Sequence, residues 1–215
     1  MKIISILFGL SVIVVCCSIQ KTNDNDYFEG KITYKNEYVI KTNKVDATYL
    51  DKVFGQKTIL FFKEGNYLEL YDAGFTLEQL FNKQNNKIYS KRNQIDTLYW
   101  FDCGTSGQEM LKFEINHNKE NILGINCDEL VTYYTNKTVS FYFNPDTLRI
   151  NPEWYKNFTA FNKNLNTQKM KSIYLKYKIE YPDFIAIVTA TSIKRQKIDA
   201  KLFSVPKNKI LIEDK

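Results

Sequence analysis

The chain is poor in the residues on which catalysis and nucleic-acid recognition lean. It has one histidine, His117, and only Arg92, Arg149 and Arg195 as arginines. His117 sits between Asn116 and Asn118 in a turn-like stretch. No nucleophile or orienting acid lies beside it, so it reads as a structural or surface histidine. The net charge of +6 comes from lysines scattered among acids, which describes a slightly basic solvated surface and no nucleic-acid face. No glycine-rich phosphate loop, HExxH motif or calcium loop occurs. The doublets Asp128-Glu129 and Glu213-Asp214 point to opposite faces when extended, so neither forms a pair of cooperating carboxylates. The expectation is a protein that is not an enzyme and holds no cofactor and no metal. Eight glycines and four prolines leave little room for long disordered linkers.

Cysteine is also scarce, and its placement is informative. Met1-Lys2 followed by an apolar run from Ile3 to Val15 has the form of a secretory leader, too short to span a bilayer as a helix. Cys16-Cys17-Ser18 closes that run. Two readings stand: Cys17 is the lipid-carrying first residue of a bacterial lipoprotein, or the leader is cleaved after Ser18 or Gln20 to release a soluble exported protein. The resulting organisation is a signal peptide over 1–17, a polar tether over 18–26, a β-rich domain over 27–206 and a C-terminal tail over 207–215. The location is the periplasm or outer membrane, with the membrane reached through a lipid anchor. Beyond the leader only Cys103 and Cys127 remain. In an exported chain this pair reads as one disulfide. Two free thiols are the alternative, and a metal site would need more ligands than these cysteines and one histidine.

What the chain has in abundance is aromatic residues, 15% of the total with 15 Tyr and 15 Phe. Tyr27 to Ile40 alternates Phe28, Ile32, Tyr34, Tyr38 and Ile40 against Glu29, Lys31, Thr33, Lys35 and Glu37, a long strand with one dry face. Asp46 to Phe54 changes to helical spacing, with Asp46 as N-cap and Gly55 after the end. Lys57–Lys63 and Tyr67–Tyr71 flank a hairpin turn at Glu64-Gly65-Asn66. Short strands follow at 75–81, 87–90, 96–101 and 109–115, the last closed by Asn116-His117-Asn118. Cys127–Tyr134 and Thr138–Phe143 form the clearest hairpin, with its register left open by the turn Thr135-Asn136-Lys137. Asn151-Pro152-Glu153 opens a short helical turn. Strands at 171–181 and 184–195 close the pattern. The fold class is mainly β: a strongly curved antiparallel half-barrel of about ten strands with two or three short helices.

The segments FEGKITYK, DTLYWFDC, ILGINCDEL, YFNP with the following NPEWYKN, and TATSIK with LFSVP resemble exported Gram-negative envelope proteins similar to the lipoprotein-carrier (LolA/LolB-like) half-barrels. The resemblance spans residues 27 to 206. It implies a half-barrel whose apolar concavity holds acyl chains without catalysis, although the carriers' functional residues do not map onto this chain one by one. The cysteine pair is no part of the carrier pattern. Most of the aromatics read as core; those expected to line a concavity for a lipid or acyl chain are Tyr134, Phe141, Tyr142, Trp154 and Tyr155. The alternative is a structural or interaction module of the outer membrane whose interior is filled by its own side chains.

Overall fold

A computed structural model describes residues 27–93 and 95–214. Twelve strands form one curved sheet. In chain order they are β1 (Gly30–Ile40), β2 (Lys57–Lys63), β3 (Asn66–Tyr71), β4 (Thr76–Asn82), β5 (Lys87–Arg92), β6 (Thr97–Asp102), β7 (Lys112–Ile122), β8 (Ile125–Tyr133), β9 (Thr138–Phe143), β10 (Tyr174–Glu180), β11 (Phe184–Arg195) and β12 (Ile210–Glu213). Two α-helices, α1 (Ala47–Phe54) and α2 (Lys163–Met170), and three short 3-10 turns complete the described chain. The spatial order is β12-β6-β5-β4-β3-β2-β1-β11-β10-β9-β8-β7. The first strand thus sits in the middle, joining a meander of β1 to β6 to a second meander of β7 to β11.

Alternation in β1 sends Ile32, Tyr34 and Asn36 inward and leaves Lys35 and Glu37 in solvent. The same parity passes across the sheet through its register. Ile32 faces Leu60, Leu60 faces Glu69, and Glu69 faces Gln79, so all four share one face. The opposite face is not bare. Leu68, Leu80 and Tyr89 pack there under Ile198 and Phe203 of the C-terminal segment. Glu29 fixes that segment by accepting from the Ile198 amide at 2.6 Å and pairing with Lys63 at 3.1 Å. Register shifts between Thr33 and Tyr34, Thr76 and Glu78, Asn116 and Glu120, and Tyr174 and Lys176 bend the strands.

The β2–β3 hairpin turns on Glu64 and Gly65, both at positive φ. A Cβ at Gly65 would also come within 2.7 Å of the Trp154 Cβ, so this turn needs glycine for space as well as for conformation. Helix α1 begins where Asp46 accepts from the Tyr49 amide and ends at Gly55, as its spacing predicts. The hairpin of β8 and β9 takes the register Leu130 to Phe141 and Thr132 to Val139.

Three expectations are corrected. Asn116-His117-Asn118 does not close a strand: β7 runs on through a bulge there, and the chain reverses at Leu123-Gly124, both at positive φ. The sheet is not wholly antiparallel, because β12 lies parallel to β6. Residues 210–213, expected within a tail, are that edge strand. Helix α2 falls in a stretch to which the sequence pattern assigns no element, because its buried positions include polar Asn166 and Thr167 and give no apolar period.

Candidate functional site

The stretch between β9 and β10 lies inside the concavity. Tyr155 stacks on Phe81 of β4 at 5.6 Å between ring centroids, Phe158 meets the same ring tilted at 4.8 Å, and Phe81 in turn stacks on Tyr67 at 5.3 Å. This aromatic column fills part of the trough. Beside it three chambers remain. One of about 430 Å³ is lined by Tyr38, Phe54, Tyr71, Tyr177 and Val188. The next, about 310 Å³, has Tyr67, Glu69, Tyr155, Lys163, Asn166 and Tyr174 in its walls. The third, about 840 Å³, is lined by Tyr134, Phe141, Phe161, Asn166 and Tyr181. The first two share Tyr71, Gln79 and Tyr177; the last two share Val139, Phe141, Phe161 and Asn166; Ile179 lines all three. Tyr71 and Tyr177 meet across the hollow although β2, β1 and β11 separate their strands in the sheet, which is what its curvature accomplishes.

The middle chamber has a polar centre. Tyr71 donates its hydroxyl to Glu69 Oε2 at 2.7 Å, and the Tyr174 hydroxyl reaches Oε1 at 3.5 Å. Desolvation raises the Glu69 pKa, while the Tyr71 hydrogen bond, the Lys163 charge and the Tyr174 contact pull it back in part. Desolvation likewise lowers the pKa of Lys163, with Glu69 opposing. The hydroxyls of Tyr67, Tyr71 and Tyr174 are held neutral, first by burial and then by the Glu69 charge. Lys163 Nζ lies over the Tyr155 ring, 5.1 Å from its centroid.

Of the residues expected to line the concavity, the structure brings Tyr134, Phe141 and Tyr155 to chamber walls. Tyr142 lies elsewhere, because it follows Phe141 in β9 and adjacent strand residues face opposite ways. Its ring packs under Lys176, which bonds Glu120 at 2.8 Å. Trp154 is also outside the chambers. It packs against Tyr27 and Phe62 over the β2–β3 turn. The expected disulfide is absent: Cys103 and Cys127 are both buried free thiols. Cys103 follows β6 and Cys127 belongs to β8, with eight strands between these two in the sheet order. Each is held by its own neighbourhood, Cys103 through backbone bonds to Asn86 and Ala160, Cys127 through Sγ to the Ile125 carbonyl. Burial pushes the Cys103 thiol up to about 12 and the Cys127 thiol to about 11. Cys17 lies outside the described residues.

His117 stands on exposed β7, with Nδ1 2.8 Å from Asp128 Oδ2. Among the described residues no group of three or more His, Cys, Asp or Glu is placed to hold a metal ion. No described helix is long and apolar enough to cross a membrane. Sequence reasoning missed Glu69, Lys163 and Asn166. Glu69 carried a legible signal, an acid on the same strand face as Tyr67 and Tyr71. Lys163 and Asn166 carried none, since α2 shows no amphipathic pattern.

No protein-family model and no curated protein matches the chain in sequence. Among solved structures, PNGF-II aligns with 87% of this chain at 18% identity and a TM-score of 0.50. The likeness is one of fold. This chain spans 32% of the PNGF-II chain, about a third of its length. A LolA superfamily protein from Nitrosomonas europaea aligns over 83% of this chain and 90% of its own, at 9% identity and a TM-score of 0.38. The Mycobacterium tuberculosis lipoprotein LppX aligns over 80% and 89%, at 8% identity and a TM-score of 0.36.

Proposed function

We propose that this protein is a non-enzymatic cell-envelope protein that binds a lipid or other apolar ligand in the concavity of its sheet. One observation carries the reading: a curved sheet whose inner aromatics, packed in part on one another, still leave adjoining chambers of about 430, 310 and 840 Å³. Those sizes lie in the range of small-molecule sites, whose walls are mostly apolar and whose few polar groups fix orientation. Chambers of this size weigh against the alternative of an interior filled by the protein's own side chains. The leader-like run from Ile3 to Val15 supports an envelope location, with Cys17 as the proposed lipid attachment point. In that setting the ligand enters by the largest chamber, where Phe161 is 66% exposed at the rim.

The test is an organic extract of protein purified from its host without detergent, examined by mass spectrometry. A lipid recovered in near-stoichiometric amount is the expected result. An extract indistinguishable from that of an unrelated exported protein would overturn the reading.

A further inference from the structure

The polar centre of the middle chamber is unbalanced in a way that specifies the ligand's head. Glu69, the acid, already has its oxygens answered by the hydroxyls of Tyr71 and Tyr174 at 2.7 and 3.5 Å. Lys163, the cation, forms no ion pair and no side-chain hydrogen bond with any described residue; its ammonium lies over the Tyr155 ring and feels the Glu69 charge without touching it. One helical turn on in α2, Asn166 is 3% exposed, and its buried Oδ1 has no hydrogen-bond partner among the described residues. A buried amide oxygen left unpaired is costly and uncommon, which marks the position as one a ligand completes. Rotating that amide by half a turn presents an N–H at the same place, so Asn166 can meet an acceptor as readily as a donor. Residues three apart on a helix share a face, and both of these line the chamber. The acid is thus hydrogen-bonded, while the ammonium and the amide oxygen beside it have no hydrogen-bond partner among the described residues.

We propose, resting on the reading of the concavity as a lipid site, that the ligand is a single-chain amphiphile with a carboxylate head, a long-chain fatty acid. Its carboxylate lies between Lys163 Nζ and the Asn166 amide, and its chain runs along the shared walls at Tyr71, Tyr177 and Ile179 toward Tyr38 and Phe54. Glu69 remains on its tyrosine hydroxyls, and desolvation raises its pKa, which weakens its repulsion of a second carboxylate.

The experiment uses the delipidated full chain and two probes of equal length, palmitic acid and hexadecanol. Their dissociation constants are measured for the parent protein, Lys163→Met and Asn166→Asp. The expected result is tighter binding of the acid by the parent, and a loss of roughly tenfold or more for the acid alone in each variant. Retained hexadecanol binding in a variant shows that its chamber is intact. Acid and alcohol bound equally by the parent would overturn the carboxylate assignment and leave the lipid site standing, a comparison that needs no variant to fold. Equal weakening of both probes by Lys163→Met would also overturn it. Binding of neither probe by the parent would overturn the assignment together with the reading on which it rests.

Discussion

Glu69 stands among Tyr67, Tyr71 and Tyr174 with its pKa raised by desolvation above the ordinary 4.5. The folded chain therefore keeps a proton there over a window that begins near 4.5 and ends at the raised value, a window in which the unfolded chain has lost it. Within that window folded stability falls as pH rises. Replacing Glu69 by Gln removes the contribution. The melting temperature of Glu69→Gln relative to the parent should increase between about pH 4 and about pH 7, and a difference that stays level across that range would refute the desolvated carboxyl. The cysteines make a second prediction at this scale. With thiols raised to about 12 and about 11, Cys103 and Cys127 offer little thiolate near neutrality and little access to a reagent. In a chain with Cys16 and Cys17 replaced by Ser, a disulfide-exchange reagent should find no fast-reacting thiol in the native protein and two per chain in denaturant. A count of zero in denaturant would mean that the pair is bonded after all.

Elements differ in how much of their form is local. The β8–β9 hairpin and α1 are legible because periodicity and caps act within a few residues: Asp46 reaches three residues to the Tyr49 amide, and Val139 and Phe141 alternate with Ser140 and Tyr142. Helix α2 is not legible, since it is held by what covers it and buries Asn166 and Thr167 against the sheet's contents. Strand β12 belongs to the same group. All its residues are exposed, and only its pairing with Thr97 to Trp100 of β6 makes it a strand. Its ends are tied by Arg92 to Asp214 and by Lys209 to Asp96. Such exposed pairs contribute little to global stability, but β12 covers an otherwise unpaired edge of β6. Deleting residues 207–215 should leave the melting temperature within a few degrees and raise concentration-dependent light scattering, as bare edges invite pairing between chains. Unchanged scattering, with unchanged amide exchange at Thr97 to Trp100, would show that β12 protects nothing.

For the molecule as a whole, the proposed anchor at Cys17 has a direct test. If Cys17 carries the anchor, Cys17→Ser made in the native host should move from the membrane fraction to the soluble periplasmic fraction and lose its lipid mass; membrane association unchanged in that variant would rule the anchor out. The sequence by itself determined the β class, the strand faces, the hairpin turn at Glu64-Gly65 and the aromatic interior. All of these follow from composition or from a period of two along the chain, which each segment expresses without its neighbours. Only the tertiary structure decided that β1 lies at the centre between β2 and β11. The same holds for Tyr142 leaving the concavity while Tyr155 stays, for Cys103 and Cys127 remaining apart as thiols, and for Glu69, Lys163 and Asn166 sharing one chamber. Those outcomes depend on strand order, bulges and register between segments far apart in sequence. An alternating pattern is equally satisfied by many such pairings, and only the curvature of the assembled sheet selects among them.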